Sequence, residues 1–188
     1  SGPLADDWAA ADWEPVSPAY RDDAGDTFHR NHFGYGSVGV LTNDTGRNDL
    51  RLCKVARSKT TLWFMAECSQ PLTPPEGEAW MTLYVGSEDA SKEGSQFKIQ
   101  PQAVGRQAKV SVLAEDQTWK SRGTVPYRIG DKRIVLAVPR EVLGLSPQGP
   151  VRLRFKWSDN VCGDTPMAWW TDGDTAPNGR AEYRYQTE

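Results

Sequence analysis

Apolar and polar residues alternate with a period of two through much of the chain. Residues 61–68 place leucine, phenylalanine, alanine and cysteine on one side, and tryptophan, methionine and glutamate on the other. Residues 151–157 place valine, leucine, phenylalanine and tryptophan opposite two arginines and a lysine. Such alternation is typical of strands with one face in a core. Residues 50–55 are also strand-like and are separated from 61–68 by a short connector, so the two segments predict an antiparallel hairpin.

Further strands are predicted at 80–85, 97–100, 109–113, 133–138 and 181–185. The segment Pro139 to Gly144 predicts a single helical turn, with proline early and glycine at its end. No segment has helical periodicity beyond a turn or two, and 17 glycines and 13 prolines indicate many turns. The pattern therefore predicts an all-β fold, a two-sheet antiparallel β-sandwich (immunoglobulin-like or jelly-roll-like) with short helical turns in its loops.

Length and composition predict a single domain over 1–188, with residues 1–12 as an N-terminal docking segment attached through its tryptophan. Hydrophobic residues make up 38% of the chain and charged residues 25%, with a formal net charge of −3. This weak negative charge disfavours nucleic acid and anionic membranes as partners. No apolar run approaches the roughly 20 residues of a membrane span, and no signal peptide is recognised.

Cysteine and histidine offer little metal or redox chemistry. The chain has three cysteines and no CxxC motif, which excludes a zinc ribbon or thioredoxin-like site. Cys53 and Cys68 are predicted to be small buried hydrophobic residues, and pairing of one of them with Cys162 stays open. His29 and His32 are the only histidines, no HExxH motif accompanies them, and we expect structural or surface roles.

Eight tryptophans are more than a core of this size needs, and an indole is well suited to stacking on the apolar face of a sugar ring. Trp80 and Trp157 follow strand patterns and are predicted to be core. The candidates for a carbohydrate-binding surface, all in polar, loop-like or glycine-rich surroundings, are Trp169, Trp170, Trp119 and Tyr35.

The segment 46–49, Gly-Arg-Asn-Asp, allows two interpretations. In the first, Arg47 and Asn48 reach sugar hydroxyls, because planar polar groups bridge neighbouring hydroxyls. In the second, Asn48 and Asp49 cap a turn and Arg47 forms a buried pair with an acid such as Asp26, an arrangement that commonly organises irregular loops.

A cluster of carboxylates predicts one metal site. Asp22, Asp23 and Asp26 lie within five residues, and calcium prefers six to eight oxygen ligands. A structural Ca²⁺ at these three residues is the expectation, with ordinary turn and cap roles as the alternative. No EF-hand pattern is present.

Five segments resemble a known family: YRDDAGDTFHR at 20–30, TNDTGRNDLRLCKVAR at 42–57, LWFMAECSQPLTPPEGEAWMTLYV at 62–85, FKWSDN at 155–160 and DGDTAPNGRAEYRY at 172–185. Together they are similar to family 9-like carbohydrate-binding modules, the DOMON-related β-sandwich domains appended to bacterial secreted glycoside hydrolases. The resemblance implies a non-catalytic module that binds a polysaccharide or oligosaccharide between aromatic side chains, with structural calcium. It also implies a parent protein with a catalytic domain, in a secreted or periplasmic location.

Other function classes have less support in the sequence. Glycoside hydrolysis needs two carboxyls about 5–9.5 Å apart, and nothing singles out such a pair. The motifs GxSxG, P-loop and HExxH are absent, so we expect no enzyme. No histidine or methionine pattern suggests a haem ligand. The remaining alternative is a structural spacer that packs against a catalytic domain and has no glycan ligand.

Overall fold

The computed structural model describes residues 8–27, 30–34, 36–77, 79–88, 94–163, 165 and 167–188. Nearly all of the regular structure in these residues is β-strand. The strands are β1 (Ala19–Arg21), β2 (Arg30–Phe33), β3 (Val40–Asn43), β4 (Leu50–Arg57), β5 (Thr61–Cys68), β6 (Thr82–Ser87), β7 (Phe97–Pro101), β8 (Gln107–Leu113), β9 (Trp119–Ile129), β10 (Arg133–Pro139), β11 (Arg152–Asp159), β12 (Asp174–Ala176) and β13 (Tyr183–Gln186). The helical pieces are two 3₁₀ turns, Gly36–Val38 and Arg140–Leu143, and one α-helical turn, α1 (Ala168–Thr171).

Eleven strands form one antiparallel sheet in the order β1-β4-β5-β10-β9-β8-β7-β6-β11-β12, with β13 also on β11. The long strand β9 joins the two halves of the sheet, since its first part pairs with β8 and its last three residues pair with β10. The hairpin β2–β3 stands apart as a second sheet.

Side chains connect the two edges of the large sheet. The Tyr20 hydroxyl of β1 donates to the carbonyl of Arg184 on β13 at 2.6 Å, and the Tyr183 hydroxyl donates to the carbonyl of Arg21 at 3.0 Å. The Leu50 N–H of β4 donates to Asp174 of β12 at 2.7 Å. The sheet is therefore nearly closed and barrel-like. The all-β antiparallel class is confirmed, whereas a division into two separate sheets is not.

The core lies inside this sheet, as the alternation predicts. Leu62, Phe64 and the other inward residues of β5 are fully buried there, and so are Trp80 and Trp157, whose core positions are confirmed. The opposite face of β5 is buried as well. Trp63 and Met65 pack there against Trp13 in a second apolar cluster, and Trp8 of the N-terminal segment borders this cluster.

The β4–β5 hairpin is confirmed in full. Strand β9 was not predicted, because Gly123 and Pro126 interrupt its alternation, and both residues usually argue against a strand. Trp119 accordingly begins a strand and is not in a loop. The short strands β2 and β3 also lie before residue 50, where the alternation predicts no strand.

All three cysteines are free: Cys53 and Cys68 are buried and Cys162 is exposed. Pairing with Cys162 is therefore not observed, and the prediction of small buried hydrophobic residues holds for the other two. Among the described residues, no helix combines the length and apolar character needed to cross a membrane.

Candidate functional site

The outer face of the sheet carries a row of three aromatic side chains. Tyr84 of β6 lies in the middle, with its ring centroid 6.4 Å from that of Trp119 and 5.1 Å from that of Trp169. Both contacts are edge-on, at interplanar angles of 64° and 83°. Tyr84 is buried between its neighbours, while both indoles keep part of their surface exposed. We call these three residues the aromatic row.

Two lysines lie over the indoles of the row. The Lys98 ammonium is 4.7 Å from the ring centroid of Trp119, and the Lys156 ammonium is 5.4 Å from that of Trp169. Register explains the arrangement, because Lys156, Tyr84 and Lys98 are cross-strand partners on one rung of β11, β6 and β7. The face is therefore aromatic and cationic together.

A cleft of about 550 Å³ adjoins the aromatic row. Tyr84 belongs to both, and Lys98, which lies over Trp119 of the row, also lines the cleft, so the row and the cleft form one continuous surface. The other polar groups that line the cleft are Arg47, Glu76, Gln100, Asn160 and Cys162. This volume lies within the range of small-ligand sites.

Arg47 lines the cleft, and the buried carboxylate of Asp159 holds its guanidinium in place. Its Nε and Nη2 donate to the two carboxylate oxygens of Asp159 at 3.0 and 2.7 Å, and its Nη1 donates to the carbonyl of Glu76. The hydrogen bond to Asp159 raises the pKa of Arg47. The buried-pair interpretation of Arg47 is thus correct, but its partner is Asp159 and not Asp26.

Asp159 accepts three further hydrogen bonds. The backbone N–H and Nδ2 of Asn48 donate to it at 3.1 and 2.9 Å, and the Met81 N–H donates at 3.0 Å. The Asn48 Nδ2 also donates to the Thr73 hydroxyl, and its Oδ1 accepts from the Thr73 N–H. Asn48 is only 3% exposed, so its prediction as a sugar contact is corrected. We call Asp159 and its donors the Asp159 network.

Gly46 allows this network to form. A Cβ at this position would lie 1.7 Å from the carbonyl oxygen of Thr27, closer than any contact permits. Only glycine lets the chain pass Thr27 and deliver Arg47 to Asp159.

Trp170 occupies a more structural position than Trp169. Both lie on α1 and both are half-buried. A Cβ at Gly179 would lie 2.5 Å from the Trp170 ring, so this indole packs tightly over that glycine. Trp169, by contrast, contacts Tyr84 in the aromatic row. Two residues named from the sequence, Tyr35 and His29, lie outside the described residues.

Three aspartates form a second cluster near the same end of the barrel. Asp22 and Asp26 meet Asp174 of β12, with one oxygen of each lying within 4.8 Å of the others. Asp23, which was predicted with the first two, is exposed and is not part of this group. Asp26 accepts from Asn178 at 2.7 Å, and Asp174 accepts from the Leu50 N–H. We call Asp22, Asp26 and Asp174 the acidic triad.

Burial and the neighbouring Asp26 carboxylate raise the pKa of Asp22 to about 7. Lys156 opposes this rise, because its buried ammonium favours the charged form of Asp22. The pKa of Lys156 itself is lowered to about 8, mainly by burial. The ammonium donates to the carbonyls of Pro177 and Ala181, which hold it over Trp169 and near the triad.

The donor set of the triad fits a hard divalent cation. Three carboxylates supply up to six oxygens, the ligand type that calcium prefers. The Oδ2 of Asp22 is buried and has no hydrogen-bond partner among the described residues. Calcium at Asp22 and Asp26 stays a prediction, with Asp174 replacing Asp23 in the ligand set.

Comparison with known proteins gives no match to a family model, to a curated protein or to a solved structure.

Sequence reasoning missed the centre of the site. Tyr84 falls in the predicted strand 80–85, where alternation places it opposite the buried Leu83 and Val85. That signal was available in the sequence. The parts played by Asp159 and Asp174 had no local signal, because their partners lie 112 and 124 positions away along the chain.

Proposed function

We propose that this domain is a non-catalytic carbohydrate-binding module whose ligand lies along the aromatic row and enters the cleft. The observation that carries the proposal is the placement of Trp119 and Trp169 on either side of Tyr84 on one outer sheet face. Partly exposed indoles provide flat apolar surfaces for the C–H faces of sugar rings. The resemblance of the sequence to family 9-like modules supports the same function.

Polar groups beside the row match the hydroxyl groups of a saccharide. Arg47 and Gln100 line the cleft next to Tyr84. A guanidinium supplies several N–H donors in a plane, and a glutamine amide supplies both donors and acceptors. The Asp159 network fixes the Arg47 guanidinium in one orientation, which lowers the entropy lost when it binds a ligand.

The proposal extends to the surroundings of the module. We infer that it is joined to the catalytic domain of a larger secreted or periplasmic protein and brings that domain to a polysaccharide. No catalytic role is assigned to its carboxylates. Asp159 is buried and engaged by five donated hydrogen bonds, which makes it unsuitable as a general acid or base.

Titration calorimetry with a panel of xylo-, cello-, manno- and galacto-oligosaccharides tests the proposal. We expect at least one oligosaccharide to bind, and we expect Trp119→Ala and Trp169→Ala each to weaken it about tenfold or more, because each removes a stacking surface. The thermal midpoints of these variants report whether the fold is intact.

Trp8→Ala is the matched control. Trp8 is also half-buried, but it lies beside the second apolar cluster and away from the aromatic row. The guanidinium carbon of Arg128 lies over it, 5.0 Å from the centroid of the Trp8 ring. Its replacement leaves glycan affinity unchanged if the aromatic row is the site. Absence of binding to the whole panel, or equal losses in all three variants, contradicts the proposal and leaves the spacer role.

A further inference from the structure

A second pocket, of about 500 Å³, lies at the opposite end of the barrel from the cleft. It is formed where β4 ends, where the Arg140–Leu143 turn begins and by residues 147–149. The eight residues of β4 separate the two ends by about 23 Å. The charged side chains that line this pocket are Arg57, Lys59, Arg140 and Glu188.

Arg140 is the unusual member of this group, because it is only 3% exposed. Its Nη1 donates to the carbonyls of Ser146, Pro147 and Gly149 at 3.0, 3.4 and 3.0 Å. Its Nε is buried and has no hydrogen-bond partner among the described residues. A buried charged donor without a partner is costly, and such groups are rare in folded proteins.

Among the described residues, no carboxylate forms an ion pair with Arg140. In the described parts of the chain, the ion pairs of arginine and lysine do not include Arg140, Arg57 or Lys59. Among the described residues, the positive charge of Arg140 is therefore compensated only by the dipoles of these three backbone carbonyl groups. The exposed Arg57 and Lys59 add two cations to the same pocket, so its side chains carry three positive charges against the one negative charge of Glu188.

We propose that this pocket binds an oxyanion, with Arg140 as the buried donor and Arg57 and Lys59 as rim cations. The ligand chemistry is a sulfate, phosphate or carboxylate group, either free or carried on a sugar. Guanidinium groups bind these anions through charge-assisted hydrogen bonds, which are stronger than neutral ones. The site is independent of the aromatic row and does not rest on carbohydrate binding there.

Calorimetry at constant ionic strength tests the site with inorganic sulfate, inorganic phosphate and glucuronate, and with chloride as the reference. Galactose 6-sulfate and galactose distinguish a sugar-borne anion from a free one. We expect at least one oxyanion to bind in preference to chloride. The double variant Arg57→Gln/Lys59→Gln weakens this binding at least about tenfold, since it removes two charged donors outside the core.

The matched control is Arg106→Gln/Lys109→Gln, which removes the same two charges from exposed positions near the other end of the barrel. It separates binding at the pocket from general charge screening and salt effects. Equal weakening in the two double variants overturns the proposal, as does the absence of any preference over chloride.

A second measurement reads Arg140 directly without mutating it. The Arg140 Nε–H resonance is expected to shift during the sulfate titration and to saturate with the calorimetric affinity. Arg140→Lys keeps a positive charge but removes Nε, and it identifies the resonance. An Nε–H signal that does not move at saturating oxyanion also overturns the proposal and assigns the pocket to water.

Discussion

The Asp159 network and the acidic triad both place buried aspartates near the same end of the barrel, but they differ in how the negative charge is compensated. Asp159 and Asp174 are both fully buried. Asp159 receives five hydrogen bonds, two of them from a guanidinium. In the triad, carboxylates face each other and the pKa of Asp22 rises to about 7. The supply of donors, and not burial alone, decides whether a buried acid stabilises the fold.

The comparison also separates two kinds of role. The Asp159 network has little spare bonding capacity and serves to fix the loop that carries Arg47. The triad holds excess negative charge, which Lys156 compensates in part. Excess charge of this kind is suited to binding a proton or a metal ion.

The largest expected effect comes from Asp159→Ala. This variant leaves the mostly buried Arg47 guanidinium and the Met81 N–H without their acceptor, so we expect a loss of about 3–5 kcal/mol in the free energy of unfolding, measured by urea denaturation. Asp116→Ala is the control, because its ion pair with Lys120 is exposed and solvent-exposed pairs contribute little to stability. Similar losses in the two variants contradict the special role of Asp159.

Asn48→Ala tests the structural assignment of this residue. Removal of its amide breaks hydrogen bonds to Asp159 and Thr73, and we expect a loss of about 1–3 kcal/mol in unfolding free energy. Asn31→Ala removes an exposed amide that accepts a hydrogen bond from the Thr42 hydroxyl, and it is expected to change stability by under about 0.5 kcal/mol. Normal stability with lost glycan binding restores Asn48 as a sugar contact.

The triad predicts a pH dependence in the presence of EDTA. The folded protein keeps the Asp22 proton up to about pH 7, whereas the unfolded chain releases it near pH 4. Its contribution to unfolding free energy is therefore full below about pH 4 and is lost as the pH rises to about 7. Urea denaturation at several pH values measures this slope.

Asp22→Asn removes that part of the slope, and Asp23→Asn is the control because Asp23 is an exposed neighbour. Identical slopes in the wild type and in Asp22→Asn count against the raised pKa of Asp22.

Calcium gives the smallest expected effect. At about 5 mM Ca²⁺, a site with a dissociation constant of about 1 mM adds about 1 kcal/mol to the unfolding free energy at pH 8. EDTA reverses the gain, Asp22→Asn abolishes it and Asp23→Asn keeps it. The calcium prediction is wrong if elemental analysis finds no metal and added calcium leaves the melting temperature unchanged.

Much of the fold was predictable because alternation is a local property. The period of two identified β4, β5, β10 and β11 and separated the two faces of β5, with Phe64 inside and Trp63 outside. The prediction failed at β9, where Gly123 and Pro126 weaken a strand that its long-range partners nevertheless hold in place. Edge closure by Tyr20 and Tyr183 had no local signal either.

By itself, the sequence determined the all-β class, the core positions of Trp80 and Trp157, and an excess of tryptophan beyond the core. Tertiary structure alone decided that Arg47 pairs with Asp159, that Asp174 joins Asp22 and Asp26, and that Tyr84 lies between two indoles. The physical reason is the range of the interactions. Side-chain alternation follows from the geometry of one strand, whereas these contacts depend on the order and register of strands far apart in the chain.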